Sequence, residues 1–145
     1  MKIVFVCTAN ICRSPMAEGM FRKMIEENGL EESVFCLSFG LAAKEGKRPP
    51  ENAVAVCREI GVDISGQRSR NLGWQDLQNT DLFAVMTKGH LQALVSDGVP
   101  ETKIRVLGVP DPYGGTLEIY RQCRDAIQAS LTALVSELNG CGADE

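Results

Sequence analysis

The chain has 145 residues, of which 44% are hydrophobic and 23% are charged, and this composition predicts one globular domain over residues 1–145 with an apolar core. Its net charge of −4 argues against nonspecific nucleic-acid binding and against a basic membrane-binding surface. No apolar run approaches the roughly 20 residues of a membrane span, and the run in Met1–Val6 is too short for a signal peptide. A cytoplasmic location is therefore expected.

Six cysteines are spread along the chain, and an even number could indicate three disulfides. A chain of this length with an apolar core does not need such support, so reduced thiols are expected. The chain has no Cys-x-x-Cys pair and a single histidine, which argues against a structural zinc site. The cysteines are Cys7, Cys12, Cys36, Cys57, Cys123 and Cys141.

The N-terminal segment predicts a strand, a loop and a helix in succession. Ile3–Val6 is a short apolar run typical of a buried strand. From Pro15 to Gly29 the apolar residues recur at three- and four-residue steps, which predicts a helix with one buried stripe. Ser14 suits the N-cap, Pro15 suits the first helical position, and Gly29 suits the C-terminal stop.

The rest of the chain alternates in the same way between apolar strands and amphipathic helices. Strands are predicted at 34–39, 81–86 and 103–107, and helices at 51–60, 71–78, from the cap Thr87 to Ser96, and 116–138, with a frayed tail at 139–145. This alternation predicts an α/β fold, a three-layer sandwich with a four-stranded parallel sheet. Ligands of such sheets bind beyond the carboxyl ends of the strands.

The loop between the first strand and the first helix carries the chemistry that the sequence indicates. Cys7 lies at the carboxyl end of the strand, and Arg13 follows six positions later, where a helix N-terminus closes the loop. Backbone N–H groups in such a loop form an anion site with the helix dipole, and a guanidinium matches two phosphate oxygens. The same positive field favours the thiolate of Cys7, which is the nucleophilic form. This phosphate loop therefore implies attack on phosphorus.

The segment from Cys7 to Ser14 resembles the phosphate loop of the low-molecular-weight protein tyrosine phosphatases, and the resemblance extends over roughly residues 2–138. It implies that Cys7 is the nucleophile, that Arg13 binds the phosphate, and that the Asn10 side chain holds the loop in shape. It also implies a hydrogen bond from the Ser14 hydroxyl to the thiolate, with helix capping as the alternative. The residues expected around the phosphate are Thr8, Ala9, Asn10, Ile11, Cys12, Arg13 and Ser14.

Cys12 matches a second loop thiol that, in this family, forms a reversible disulfide with the nucleophile under oxidants. A nearby thiol can rescue an oxidised thiolate, so a redox role is chemically reasonable. The alternative is that Cys12 is a small buried residue.

A phosphocysteine mechanism also needs an acid for the leaving oxygen and a base for the incoming water, and one carboxylate can do both in turn. Asp111 follows the fourth predicted strand and stands between two prolines that restrict its backbone. The resemblance assigns the general acid to Asp111 and places Tyr113 on the wall of the substrate cleft. Because the thiolate, Arg13 and backbone amides supply the electrostatic stabilisation, no metal and no organic cofactor is expected.

Two departures from the family pattern bear on the site. Position 9 is Ala where the family usually has Gly, and a positive φ there would cost about 1 kcal/mol. Gly114 and Gly115 stand where many tyrosine phosphatases place a second aromatic residue. Tyr113 is then the single aromatic wall, and phosphotyrosine loses a stacking partner worth about 0.5–1.5 kcal/mol.

The segment from Asp111 to Thr116 also resembles the bacterial protein-arginine phosphatases. Those enzymes tend to have Thr at the position of Ile11. The branched apolar side chain of Ile11 suits a phenyl ring better than a guanidinium that needs hydrogen bonds. Phosphotyrosine on proteins is therefore the expected substrate, with phosphoarginine as the alternative.

Weaker alternatives are an arsenate reductase, which needs two further cysteines that Phe83–Leu94 lacks, and a noncatalytic phosphate-binding module, which would leave Asp111 without a purpose. His90 is interpreted as a partly exposed structural histidine. The expected partner is a phosphorylated protein, with no nucleic acid and no membrane, and the protein is expected to be a monomer or a weak dimer.

Overall fold

Four strands and five helices alternate along residues 1–143, which this computed structural model describes, with side chains described through residue 139. The strands are β1 (Lys2–Cys7), β2 (Phe35–Gly40), β3 (Leu82–Val85) and β4 (Ile104–Val106). The helices are α1 (Arg13–Glu27), α2 (Glu51–Arg58), α3 (Trp74–Asn79), α4 (Lys88–Ser96) and α5 (Leu117–Ala143), and a short 3-10 helix, Glu101–Lys103, precedes β4. All strand pairs are parallel in the order β2-β1-β3-β4, which confirms the predicted sheet.

Helices cover both faces of the sheet, so the three-layer sandwich is also confirmed. On β1, Ile3 and Phe5 pack into a core shared with α1, α2 and α5. Val4 and Val6 face the opposite side and pack with residues of β3 and α4. All six residues of β1 are buried, as expected for a central parallel strand that is covered on both faces.

Helix α1 begins two residues earlier than predicted. Its N-cap is Cys12, which makes no capping hydrogen bond, so the prediction of Ser14 as the N-cap is wrong. The reason is that the Ser14 hydroxyl contacts the Cys7 sulfur and the Asn10 amide instead. At the other end the predicted stop is confirmed, because the helix ends at Glu27 and Gly29 has a φ of 66°.

Helix α5 is longer than predicted and runs through Ala143. Glycine costs only about 1 kcal/mol in a helix and does not break it as proline does, and the glycines at 140 and 142 therefore do not end α5. The last two residues of the predicted tail, 144 and 145, lie outside the described residues.

Helix α3 begins at Trp74 and not at residue 71, because Asn71 is held in extended contact with the loop after β2. The Asn71 side chain accepts from the Ala43 N–H at 2.7 Å and donates to the Ala43 carbonyl at 2.8 Å. The other predicted bounds differ by one or two residues, a common scatter for helix and strand ends. Among the described helices, none has the length and apolar character to cross a membrane.

Candidate active site

The phosphate loop joins β1 to α1 at the carboxyl edge of the sheet and is folded tightly around the Cys7 sulfur. The Cys7 side chain is almost wholly buried, and the N–H of Asn10 donates to its Sγ atom at 3.3 Å. Asn10 has a φ of 56°, the one positive φ of a non-glycine residue in the described part of the chain. Ala9 has no positive φ, so the cost considered for that position does not arise, and the left-handed turn falls on Asn10, a residue type that tolerates it.

The buried Asn10 amide ties the loop to two neighbouring segments. Its Nδ2 donates to Ser14 Oγ at 2.7 Å and to Ser38 Oγ at 3.1 Å, and its Oδ1 accepts from the backbone N–H of Arg70 at 3.0 Å. The contact with Arg70 N–H fixes which end of the amide is oxygen. Asn10, which was predicted to hold the loop in shape, thus has hydrogen-bond partners at both ends of its side-chain amide.

The hydroxyl of Ser14 is oriented by this amide. Ser14 Oγ lies 2.9 Å from Cys7 Sγ, and it already accepts from Asn10 Nδ2, which can only donate. A thiolate can only accept, so the hydroxyl of Ser14 donates to the sulfur when Cys7 is ionised. A donor held at this distance stabilises negative charge on sulfur.

A buried carboxylate, which the sequence analysis missed, lies at the far end of the network. Glu18 is 4% exposed, and its Oε1 accepts from Ser38 Oγ at 2.8 Å. Arg22 and Arg70 pair with the same carboxylate at 2.8 and 3.5 Å. The signal was present as the four-residue spacing of Ser14, Glu18 and Arg22, which places all three on one face of α1.

The Arg13 guanidinium is buried beside the loop and is held from the side of β4. Its Nη1 donates to the Val109 carbonyl at 3.0 Å, and its Nη2 lies 4.0 Å from Asp111 Oδ2. The Asp111 side chain is 57% exposed, and its Oδ1 accepts from the Tyr113 N–H at 3.1 Å. The structure therefore brings together Cys7, Arg13 and Asp111. The first and the last of these residues are 104 positions apart in the sequence.

A cleft of about 780 Å³ opens above the loop, and all of the predicted site residues line it except Asn10 and Ser14, which are buried behind the loop. Ile11 lines the cleft while packing partly against the main core. Tyr113 is 68% exposed on the wall. Segment 42–50 forms another wall and brings Lys44, Lys47 and Arg48 to the cleft.

The backbone conformation after Tyr113 favours glycine at positions 114 and 115, so the small size of their side chains is not the only feature of this loop. Gly114 has a φ of +80°, and a Cβ atom on Gly115 would lie 2.8 Å from the Pro112 carbonyl oxygen. A second aromatic residue would need a different course of this loop.

The second loop thiol faces a tyrosine from α5. Cys12 Sγ lies 3.5 Å from the hydroxyl of Tyr120, and both side chains are buried. Burial raises the pKa of Cys12 to about 11, which outweighs the hydrogen bond from Tyr120. Cys12 is therefore a protonated thiol at neutral pH.

His90 is buried, so the prediction of a partly exposed histidine is wrong. Its Nε2 lies 2.9 Å from Thr8 Oγ1 in the phosphate loop, and its Nδ1 accepts from the Thr87 N–H at 3.2 Å. The proton of the neutral ring is then on Nε2, which donates to Thr8. Burial and the positive charge of Arg13 lower the pKa of His90, while Asp111 acts in the opposite direction. The capping box formed by Thr87 and His90 confirms Thr87 as the predicted cap of α4. It is also the local sequence signal for the position of His90.

No group of three or more His, Cys, Asp or Glu side chains able to hold a metal ion occurs among the described residues. The loop instead places the Asn10 N–H and the Arg13 guanidinium near a buried cysteine. Such a site can bind a phosphate group and attack it.

Known proteins are similar to this chain in sequence and in fold. Residues 2–141 match the family model described as "Low molecular weight phosphotyrosine protein phosphatase". The chain is 35% identical to a protein-arginine-phosphatase of Bacillus subtilis over 95% of this chain and 97% of the relative. It is 33% identical to a low molecular weight protein-tyrosine-phosphatase of Streptomyces coelicolor over 93% of this chain and 92% of the relative. A structure of the YwlE arginine phosphatase, a mutant with a phosphorylated active site serine, is similar at a TM-score of 0.89 and 33% identity over 96% of each chain.

An α/β sandwich with a cysteine at the base of a phosphate loop defines a cysteine-dependent phosphatase. The family model covers nearly the whole chain, and the chain belongs to the low-molecular-weight protein tyrosine phosphatase family. It is a hydrolase that acts on phosphorylated proteins.

Proposed function

We propose that this enzyme removes the phosphoryl group from phosphotyrosine in proteins through a phosphocysteine intermediate on Cys7. The observation that carries the proposal is the position of the Cys7 sulfur, which has donors from Asn10 N–H at 3.3 Å and Ser14 Oγ at 2.9 Å behind it. Asp111 lines the same cleft, which supplies the second half of the chemistry.

The first step is attack by the Cys7 thiolate on phosphorus. Backbone N–H groups of the loop and the Arg13 guanidinium bind the phosphate oxygens, and the Val109 carbonyl uses only one of the guanidinium donors. A sulfur–phosphorus bond forms as the bond from phosphorus to the phenolic oxygen breaks. Protonated Asp111 gives its proton to that oxygen, so the tyrosine leaves as a neutral phenol.

The second step returns the enzyme to its starting state. The Asp111 carboxylate takes a proton from a water molecule whose oxygen attacks phosphorus. The sulfur–phosphorus bond breaks, inorganic phosphate forms, and Cys7 leaves as a thiolate. The Ser14 hydroxyl stabilises that thiolate, because its proton is directed at the sulfur.

The cleft wall supports a phenyl leaving group. Ile11 packs partly against the core and presents an apolar surface next to the loop, and Tyr113 provides an aromatic wall. An apolar surface leaves the hydrogen-bonding groups of a guanidinium unpaired, whereas a phenyl ring has none to satisfy. Ile11 is therefore the residue on which the phosphotyrosine preference rests.

Phosphoarginine is the second candidate substrate. The backbone at Gly114 and Gly115 leaves the cleft without a second aromatic wall. The Bacillus subtilis relative and the similar YwlE structure are both named arginine phosphatases. These observations favour a guanidinium, and the side chain of Ile11 opposes it.

Initial rates on matched phosphotyrosine and phosphoarginine peptides distinguish the two substrates, with Cys7→Ser as the blank. We expect higher kcat/KM on phosphotyrosine, a shift toward phosphoarginine in Ile11→Thr, and little change in the control Ile11→Val. A preference for phosphoarginine in the unmodified enzyme would overturn the assignment. Activity that survives in Cys7→Ser would overturn the phosphocysteine mechanism.

We also propose that Cys12 protects the nucleophile from irreversible oxidation. A peroxide oxidises the Cys7 thiolate to a sulfenic acid, and the Cys12 thiol then attacks that sulfur, which forms a disulfide and releases water. Both residues line the same cleft, and the raised pKa of Cys12 leaves Cys7 to react first. Reduction by a thiol restores both residues.

A reducing compartment, the cytoplasm, is the proposed location, and the proposed state is a monomer or a weak dimer. All five cysteines with described side chains are buried free thiols, which supports a reducing environment. Cys141 lies outside the described side chains. The net charge of −4 supports the absence of nucleic-acid and membrane partners.

A further inference from the structure

Three cations stand on one wall of the active-site cleft. Lys44, Lys47 and Arg48 belong to segment 42–50, are exposed, and line the same cleft as Cys7 and Asp111. None of the three has a carboxylate oxygen within 4.0 Å among the described side chains. We call Lys44, Lys47 and Arg48 the basic rim.

The basic rim is held in a fixed position against the phosphate loop. The N–H of Ala42 donates to the Thr8 carbonyl at 2.9 Å, at the start of the segment. Further along, the Ser69 hydroxyl donates to the Lys44 carbonyl and accepts from the Lys47 N–H at 2.8 Å. The Ser69 N–H donates to the Lys47 carbonyl at 2.8 Å. One buried serine thus fixes the backbone of two rim residues.

The neighbouring acid does not neutralise this charge. Glu45 lies between the rim residues in sequence, but its Oε1 accepts from the Asn71 N–H at 2.9 Å and from Asn71 Nδ2 at 3.3 Å. The cleft lining therefore carries four guanidinium or ammonium groups, those of the rim and of Arg13, against the one carboxylate of Asp111. The whole chain has a net charge of −4, so the excess positive charge is local to this cleft.

The single phosphate group of the substrate does not account for the four cations that line the cleft. The phosphate of the substrate lies at the loop, where Arg13 and the backbone N–H groups bind it. The rim cations line the wall of the same cleft, outside the loop that binds this phosphate. We propose that the basic rim selects phosphorylated protein segments with Asp or Glu next to the phosphorylated residue. This proposal rests on the proposed function but does not depend on whether the phosphorylated residue is tyrosine or arginine.

Opposite charges across an interface speed encounter and tighten the initial complex, and salt screens both effects. Exposed ion pairs contribute about 1.5- to 5-fold each, so three of them give a preference on the order of tenfold. The effect should appear in KM and kcat/KM, because flanking residues do not take part in the bond-breaking steps.

The experiment uses the full chain and three phosphotyrosine peptides that differ only in their flanking residues, which are Glu, Gln or Lys. A matched phosphoarginine set accompanies them. The test variant is Lys44→Gln/Lys47→Gln/Arg48→Gln. The charge-matched control is Lys23→Gln/Arg58→Gln/Lys103→Gln, three exposed positions that do not line the cleft. Thermal unfolding of both variants verifies that each is folded.

We expect the unmodified enzyme to prefer Glu over Gln flanks by about tenfold in kcat/KM at low ionic strength, and Gln over Lys flanks in turn. The test variant should lose this order, 0.5 M salt should reduce it, and the control should keep it. Equal kcat/KM on Glu and Gln flanks, or an unchanged preference in the test variant, would overturn the proposal.

Binding separates this proposal from the proposed function. The same peptides are titrated against Cys7→Ser, which keeps the rim and lacks the thiol. Tighter binding of the Glu-flanked peptide, with no turnover by the unmodified enzyme, would support the rim proposal and contradict the phosphatase mechanism. Turnover with no dependence on the flanking residues would support the phosphatase mechanism and contradict the rim proposal.

Discussion

The Oγ atom of Ser14 lies 2.9 Å from the Sγ atom of Cys7, and a third residue holds the hydroxyl in place. Asn10 Nδ2 donates to the same oxygen at 2.7 Å, and the hydroxyl donates to the sulfur when Cys7 is a thiolate, which can only accept. The sulfur is a nucleophile in the first proposed step and a leaving group in the second. A fixed donor assists both, and most strongly the departure of the thiolate.

Ser14→Ala tests this relationship. A hydrogen bond to a charged group is worth about 1.5–3 kcal/mol, so we expect breakdown of the phosphocysteine to slow by about 10- to 150-fold. Pre-steady-state kinetics with p-nitrophenyl phosphate should show a larger burst of nitrophenol followed by a slower steady state. Ser96→Ala, at the exposed end of α4, serves as the control. An unchanged steady-state rate in Ser14→Ala would refute the role of the hydroxyl.

Asn10 combines a left-handed backbone with a buried amide that has three partners, and two substitutions separate these properties. Asn10→Gly leaves the left-handed backbone unstrained and removes the side-chain amide, so we expect a loss of about 1–3 kcal/mol in the free energy of unfolding. Asn10→Ala removes the amide and strains the backbone, so it should be about 1 kcal/mol less stable again. Urea unfolding measures both. If the two variants unfold at the same urea concentration, the backbone at this position is not a source of strain.

His90 predicts a specific dependence of stability on pH. Because burial lowers its pKa below the ordinary 6.5, the unfolded chain binds more protons than the folded protein just below pH 6.5. The stability that His90 contributes is complete above pH 6.5 and is lost as the pH falls below that value. Protonation of Nδ1 would also remove the acceptor for the Thr87 N–H.

His90→Gln keeps a donor for Thr8 but cannot titrate, so the pH dependence can be measured by difference. Urea unfolding of both proteins between pH 7.5 and 5 should show a steeper loss of stability in the unmodified protein. The carboxylates titrate in both proteins and cancel. Parallel pH profiles would contradict the neutral, buried state of His90.

The redox proposal predicts different outcomes for two cysteine substitutions. After brief peroxide treatment, a thiol reductant should restore most activity in the unmodified enzyme and little in Cys12→Ser. Cys36→Ser is the matched control, because Cys36 is buried on β2 with its thiol donating to the Glu18 carbonyl. Cys7 and Cys12 fall in one tryptic peptide, so mass spectrometry detects their disulfide as a loss of two hydrogens. Full recovery of activity in Cys12→Ser would exclude the protective role.

The sequence was sufficient to predict the sheet and the meeting of Cys7 with Asp111. Cys7 ends one strand and Asp111 follows another, and parallel strands bring their carboxyl ends to one edge, so a separation of about a hundred positions did not obscure that both residues line one cleft. The spacing from Cys7 to Arg13 predicted the loop in the same way. These inferences used regular features whose geometry repeats between proteins.

The features that the sequence did not predict depend on which hydrogen-bond partner a side chain contacts in the folded protein. Ser14 suits the N-cap by type, and the sequence left capping open beside the contact with Cys7 that the structure shows. The burial of His90 follows from its contact with Thr8, which is 82 positions away. The positive φ considered at Ala9 falls on its neighbour Asn10, and the tolerance of Asn for left-handed backbone was available as a signal.

Direct detection of a phosphoryl group on Cys7 would establish the phosphocysteine intermediate. Asp111→Asn lacks the proposed base, and p-nitrophenyl phosphate has a leaving group that needs little help from an acid, so the intermediate should accumulate. Phosphorus NMR and mass spectrometry of the quenched protein should then show one phosphoryl group on the sulfur of Cys7. A protein that turns over substrate with no phosphoryl group on Cys7, or with one on another residue, would contradict the account.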